Sequence, residues 1–397
     1  MKKKKIKIKP EKTYIATETD KIGEIAHQYG FTVIKPPHIT PEDISKSKHF
    51  KEFDFFHDAE EKIALTRWYM EENLQSKSQP IMIHYKKPLH GSSTRKKPKD
   101  EVYGFEIMGS AKSTGEALLI KTALAIIGDL GYKDVCVDIN SIGDKESINR
   151  FEREIGTYYR KHGSELPAKI RQEFKKDHYS ILTDGSLDSE PFRKCMPQTI
   201  GSLSDLSRAY FKEILEFIEA FGVPYKIKPS IISNKLFASN TVFEIRQNTD
   251  GNGEGPLLAS GYRYNYLAKK IGSKREIPSV GMTITVKKNP KFHKKIIVKK
   301  IKKPSFYLVQ LGETAKLKAL NIVEILRKNK ISIYHSITKD KITGQLTSAE
   351  YMCASHVLII GQKEAIENTV VIRNITTRAQ DTMPIMELID FLKKING

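Results

Sequence analysis

The residues best suited to chemistry with a polyanion are lysines and arginines gathered in three runs. MKKKKIKIKPEK opens the chain, RKKPK covers 95–99, and KKNPKFHKKIIVKKIKK covers 287–303. An ammonium or guanidinium group neutralises a phosphate and releases its condensed counterions, so such runs fit nucleic acid or an anionic membrane surface. Arg95, Lys96, Lys97 and Lys99 in the second run, and Lys294, Lys295, Lys299 and Lys300 in the third, are the candidate RNA contacts. The formal net charge of +20 points the same way, although a lysine-biased genome would also raise it. Other chemistries find little footing. Cys136, Cys195 and Cys353 stand far apart with no C-x-x-C pair, so no metal site and no disulfide framework is expected. DGNGEGP (250–256) holds a G-x-G-x-G, but it joins two strand-like runs and opens no helix, so it reads as a hairpin turn.

The elements that must position these groups are legible in the hydrophobic pattern. A chain of 397 residues suits two or three domains, and 39% hydrophobic residues supply their cores. Helical spacing covers 19–29, and FTVIKPPHI follows as a strand-like run broken by Pro36 and Pro37. A helix is expected over 58–75. IMIHY (81–85), a basic loop and YGFEIMG (103–109) make a hairpin. Helices are expected over 114–130, 145–163 and 204–221, and strands at 134–143, 241–247 and 257–267. After the lysine-rich stretch, strand and helix alternate to a final helix over 383–395, the pattern of a small α/β domain with a mainly parallel sheet. No run approaches the roughly 20 apolar residues of a membrane span. The basic start lacks an apolar segment, so no secretory signal and a cytoplasmic location are expected.

Several segments, in order, resemble the histidyl-tRNA synthetase family. DINSIGDKESINRFEREIGTYYRKHGSEL is similar to the start of that family's helical insertion, and NTVFEI with LASGYRYNYL to its second histidine signature and glycine-rich strand. PSVGMTITVKK (278–288) resembles the third class II motif. YLVQLGETAKLKALNIVEILRKNKISI, with LIIGQKEAIENTVVIRNITTRAQ, resembles the anticodon-binding domain of the histidine, glycine, threonine and proline enzymes. The resemblance implies an α+β class II synthetase-type antiparallel sheet with helices, followed by a small α/β anticodon-binding-type domain. The corresponding boundaries are a basic tail over 1–13, a catalytic-type domain over 14–286 with its insertion at about 140–205, a basic linker over 287–304, and the last domain over 305–397.

The family's chemistry joins a carboxylate to the α-phosphate of ATP, and preorganised cations lower that barrier. At the matching positions, this chain departs from the family. His84 stands for the second-motif arginine, with Lys86 for its glutamate, and Val102 for a glutamine. Ser233 replaces the arginine of the histidine signature, and Phe237 and Ala238 replace its two tyrosines. Tyr262 replaces a glycine, and Lys288 the arginine of the third motif. Glu60 and Glu106 match retained carboxylates of the amino-acid pocket. Losing one such donor costs roughly 10²–10³ in rate, and several together on the order of 10⁴ or more. The catalytic set is therefore expected to be degraded and no cofactor is expected. ATP with magnesium would enter only if the chain were an active histidine–tRNA ligase.

The implied function is binding of tRNA or another structured RNA by a catalytically inactive relative. Gln345, in the last domain, joins the lysines as a candidate RNA contact. The alternatives are the active ligase and a protein-binding regulatory subunit of the ATP phosphoribosyltransferase type. FTVIKPPHI resembles the first class II motif, whose proline (here Pro37) implies a homodimer.

Overall fold

The computed structural model describes residues 18–53, 56, 58–91, 100–183, 195–248, 255–287, 296–297 and 305–396. The tail 1–13, Arg95, Lys96, Lys97, Lys99, Lys288, Lys294, Lys295, Lys299 and Lys300 lie outside them. The described chain begins with strand β1 (Glu18–Thr19) and helix α1 (Lys21–Gln28). Asp20 caps that helix by accepting from the Gly23 N–H at 2.8 Å. Ile22, Ile25 and Ala26 recur at helical spacing, and all are buried.

Two compact units form: residues 31–288, and residues up to Gly30 together with those from Asn289 onward. The first is built on an eight-stranded sheet of β2 (Thr32–Val33), β3 (Ile81–Lys87), β4 (Glu101–Met108), β5 (Val135–Gly143), β6 (Tyr225–Ile227), β7 (Ser239–Gln247), β8 (Leu257–Arg263) and β9 (Ser279–Val286). Their order is β2-β3-β4-β9-β8-β7-β5-β6, antiparallel except for the parallel pairs β2–β3 and β5–β6. Its helices are α2 (Pro41–Ser47), α3 (Ala59–Glu71), α4 (Thr114–Asp129), α5 (Lys145–His162), α6 (Ala168–Lys176), α7 (Ser180–Thr183), α8 (Asp205–Ala220) and α9 (Leu267–Lys270). The helices expected from hydrophobic spacing at 114–130, 145–163 and 204–221 are α4, α5 and α8.

Alternation along the strands gives this sheet two faces. One carries Phe105, Met282 and Arg263 under α4 and is closed by a buried ion pair. Arg263 donates to Glu116 at 2.7 and 2.5 Å and to the carbonyls of Ser110 and Lys112 at 2.7 and 2.9 Å. Every charge in that pair is met, which is the condition under which a buried pair holds a fold rather than strains it. The other face carries Tyr85, Lys87, Glu106, Tyr262 and Gly281, and α3 lies against it.

The second unit has a five-stranded sheet of β11 (Phe306–Gln310), β12 (Ile333–His335), β13 (His356–Ile360), β14 (Thr369–Asn374) and β15 (Gln380–Pro384), in the order β12-β11-β13-β14-β15. β12, β11 and β13 are parallel, while β14 and β15 are antiparallel additions. Helices α10 (Glu313–Lys328), α11 (Ile342–Tyr351), α12 (Gln362–Glu367) and α13 (Leu388–Asn396) connect or follow them. The last helix is shorter than the sequence pattern suggests. Residues up to Pro384 pair with β14 as a strand, and Pro384 suits an edge.

The expected start of the catalytic-type domain at residue 14 is not where the compact units divide. The described residues 18–30 pack with the C-terminal unit. β1 pairs with the two-residue β10 (Ile296–Ile297). Tyr29, fully buried, donates its hydroxyl to Glu324 Oε2 on α10 at 2.6 Å, and Arg327 holds the same carboxylate at 2.7 Å. The apolar face of α1 needed a partner, and α10 provides one. The sequence could show that face but not what covers it.

Gln345 needs a correction as well. It is fully buried in α11. Its amide nitrogen donates to the carbonyls of Gln310 and Lys339 at 2.9 and 3.1 Å, and its oxygen accepts from the Gln310 N–H at 3.1 Å. With its amide committed to backbone, Gln345 closes the end of β11 and offers RNA no polar group.

Candidate functional site

Helix α3 and strands β3, β4, β8 and β9 converge on one carboxylate. Glu106 lies in mid-β4 and is fully buried. Its Oε1 accepts from Lys62 Nζ at 2.6 Å and from the Tyr85 hydroxyl at 2.9 Å, and its Oε2 accepts from the Tyr264 hydroxyl at 2.7 Å. Register brings these groups together. Tyr85 pairs with Gly104, and both Glu106 and Tyr262 pair with Gly281. The glycines are required by volume: a Cβ on Gly281 would sit 2.0 Å from Glu106 Oε2 and 2.1 Å from Lys62 Nζ.

Lys62 comes from the first turns of α3 and is only 2% exposed. Its ammonium lies 5.0 Å from the Tyr264 ring centre and 5.5 Å from that of Tyr262, an aromatic environment that favours a cation. Asp58, just before α3, lies 3.8 Å from the same ammonium and accepts from the Tyr262 hydroxyl at 2.6 Å. Phe56 stacks on Tyr262 with centroids 4.8 Å apart. Burial pushes the Glu106 carboxyl above its ordinary range, although Lys62, Tyr264 and Tyr85 pull it back. Burial first, and Glu106 second, push the Tyr85 and Tyr264 phenols well above theirs, so both act as donors rather than acids.

A carboxylate with tyrosines around it is a receptor for an ammonium group, and here the ammonium belongs to the chain itself. The cavity left among Phe56, Asp58, Lys62, Tyr262, Gly281 and Thr283 measures about 70 Å³. Small-molecule sites usually span roughly 300–1,000 Å³.

A larger recess of about 340 Å³ adjoins it, lined in part by Lys228, Glu244, Arg246 and Ser260. Its cations are committed: Arg246 to Glu244 at 2.6 Å and Lys228 to Asp138 at 3.3 Å. Lys87 is held by Glu61 at 2.7 Å. Burial works against its charge, but Glu61 and Asp58 outweigh that and raise its pKa. Among the described residues, no cluster of three His, Cys, Asp or Glu side chains could hold a metal. A triphosphate with its metal needs uncommitted cations and oxygen ligands, and the described cations of these two recesses are already paired with carboxylates.

Of the positions singled out in the sequence, the structure brings Glu106, Phe237 and Tyr262 to one place. Phe237 lies 6.2 Å from Tyr262 and edge-on to Phe50 at 5.1 Å. Phe237 and Ala238 are core residues in the same apolar cluster as Tyr262 and Tyr264. Ser233 is buried, and its hydroxyl has no hydrogen-bond partner among the described residues. Val102 pairs with Lys87 and Thr285 and so shares the pocket face, at the end of β4 remote from Glu106 along the strand.

His84 and Lys86 do not belong to the pocket. They lie on the opposite face of β3, where His84 stacks on Phe105 at 5.6 Å and Lys86 pairs with Glu101 at 2.6 Å. A one-residue displacement along a strand reverses the face, so the pocket side of β3 belongs to Tyr85 and Lys87. Glu60 is corrected in the same way. It is partly exposed, while Asp58, Glu61 and Lys62 face inward. Lys62, Tyr85 and Tyr264 were not singled out in the sequence. The alternation of β3 and β4 carried the signal for Tyr85, since it must share a face with Glu106.

Comparison with known proteins follows from this geometry. Residues 305–395 match the family described as anticodon binding domain. The histidine–tRNA ligase of Oceanobacillus iheyensis is 25% identical over 407 residues, 95% of this chain and 93% of that protein. The enzyme of the same name from Halothermothrix orenii is 27% identical over 340 residues, 84% of this chain and 80% of its own. The crystal structure of apo S. aureus histidyl-tRNA synthetase superposes with a TM-score of 0.51 at 21% identity, covering 93% of each chain. That likeness shows the fold. No helix among the described residues is long and apolar enough to cross a membrane.

Proposed function

The chain belongs to the histidyl-tRNA synthetase family, and from that premise we propose that it is a catalytically silent member that binds tRNA or another structured RNA in the cytoplasm as a homodimer. One observation supports the loss of catalysis: Lys62 Nζ sits 2.6 Å from Glu106, the carboxylate that the family resemblance matches to one of the amino-acid pocket. Three further features support it. Tyr262 and Phe56 close the pocket around the lysine. The cations of this face are neutralised by neighbouring carboxylates. Phe237 and Ala238 belong to the core rather than to a polar binding surface.

The RNA-binding reading rests on the anticodon-binding-type domain over 305–395 and on where the lysines fall in the sequence. Arg95, Lys96, Lys97 and Lys99 fall in the sequence between β3 and β4. Lys294, Lys295, Lys299 and Lys300 lie between the sheets of the two units in the sequence. Phosphate contacts position a nucleic acid without reading its sequence, which suits clusters of lysines. Neither histidine nor ATP is part of this function. The test is titration of the full chain with total tRNA at several salt concentrations. The reading expects binding whose logarithm falls linearly with log salt, steeply enough for several phosphate contacts. Absence of binding at low salt overturns it.

A further inference from the structure

Away from the pocket, α5 and α6 bound an open groove of about 900 Å³, lined among others by Arg153, Gly156, Arg160, Phe174, Lys175 and His178. We propose that this groove receives an unpaired stretch of the bound RNA, with phosphates along α5 and a base against the aromatic residues of the floor. The inference rests on the RNA-binding reading and adds a second site to it, independent of the lysine clusters.

Charge is the first support. Arg153 and Arg160 are seven residues apart on α5, so they project from the same side about 10.5 Å apart along its axis. That spacing follows a length of backbone rather than a single ion. Arg153, Arg160 and Lys175 are exposed and form no ion pair among the described residues, and Arg160 donates only to the Thr157 hydroxyl at 2.9 Å. Among the described residues of the lining, the one acid is Glu152, and it is held by Lys235 at 2.9 Å.

The floor is the second. The Tyr159 and Phe174 rings stack with centroids 4.0 Å apart and planes 12° apart, and His178 stacks on Phe174 at 4.7 Å and 26°. Tyr159 and His178 are partly exposed. Cations beside partly exposed aromatic rings form the usual platform for single-stranded nucleic acid, because every base has a face to stack and a duplex hides those faces.

Gly156 is the third. A glycine inside a helix lowers its stability, and it usually persists where something must come close. Among the described residues, a Cβ there would meet nothing within 4 Å, so no described contact requires the glycine. Its position in the groove lining leaves the helix backbone open to a ligand.

The experiment uses the full chain and two probes: total tRNA, and an oligouridine of about 12 nucleotides, a length within the usual range for stacking grooves. Replacing Arg153, Arg160 and Lys175 together by alanine should lower the salt slope for both probes by about two units and weaken binding at low salt on the order of 10²-fold. Gly156→Leu puts a side chain into the groove, and its Cβ meets no described neighbour within 4 Å. It should leave the melting temperature unchanged or higher and weaken oligouridine binding at least about tenfold. His178→Ala should weaken oligouridine roughly ten- to a hundredfold and a duplex of equal length much less. If tRNA binds the wild type and all three variants equally, the groove proposal is wrong while RNA binding stands. If the wild type binds neither probe, the RNA-binding reading itself fails. Preference for duplex over oligouridine also overturns the proposal.

Discussion

Replacing Lys62 by methionine tests the reading of the pocket as self-occupied. Methionine keeps much of the stem volume and removes only the ammonium. Glu106 then loses its 2.6 Å partner and keeps two phenol donors in a site with no solvent exposure. Breaking a buried pair by removing one partner costs about 3–5 kcal/mol. The two tyrosines and the option of protonating Glu106 bring the expectation to the lower end, about 3 kcal/mol. For a unit of this size, that lowers the melting temperature by roughly 6–12 °C.

The pH dependence follows from the direction of the carboxyl shift. Burial already raises the Glu106 pKa above 4.5, and loss of Lys62 raises it further. A carboxyl with a raised folded-state pKa favours the fold below its unfolded value, and that contribution is lost as pH rises through the folded one. The deficit of the Lys62→Met variant should therefore be largest near pH 7 and shrink toward pH 5. Glu106→Gln in the same chain removes the stranded charge and should recover on the order of 1 kcal/mol or more. Thermal and denaturant melts of the wild type, both single variants and the double variant give the coupling. A Lys62→Met cost below about 1 kcal/mol, or a cost independent of pH, refutes the reasoning.

The basic run 95–99 gives a second prediction: replacing Arg95, Lys96, Lys97 and Lys99 by alanine should lower the salt slope of tRNA binding by about one to three units without moving the melting temperature. Light scattering at micromolar concentration should show twice the 45.2 kDa chain mass, and a species of 45.2 kDa alone would contradict the homodimer. His335 makes the C-terminal unit acid-sensitive. Burial pushes its imidazole down to about 4 from 6.5, and its Nε2 is buried without a hydrogen-bond partner. A lowered histidine contributes stability fully above 6.5 and loses it as pH falls through 4, so melts of the unit should weaken by about 1–2 kcal/mol across that window, discounted because the ring is partly exposed. His335→Phe should flatten that dependence.

Periodicity made most of the fold readable. The strand-like runs at 81–85 and 103–109 and the helical run at 114–130 form β3, β4 and α4, although α4 is buried on nearly every side rather than along one face. What failed was set by distant contacts. Nothing near Ile22 and Ile25 says that the helix ends against α10, where Tyr29 meets Glu324. Gln345 looks like a polar helix residue until Gln310 is seen against it. The pocket was half legible. Motif order located Glu106 and Tyr262, but placing His84 at an arginine position ignored the one-residue sensitivity of strand faces. Lys62 was hidden because EEKIALTRW is a good helix in its own right, and only the fold shows that a lysine within it points at a carboxylate 44 positions away.

Histidine-dependent exchange of labelled pyrophosphate into ATP tests the central claim most directly, because it reads the activation step alone and needs no RNA. With Lys62 in the pocket and the nearby cations committed, no exchange above the histidine-free background is expected, a deficit on the order of 10⁴-fold or more against an active family member. An exchange rate within about tenfold of such an enzyme would contradict the account, in which Lys62 takes the Glu106 carboxylate for itself at 2.6 Å.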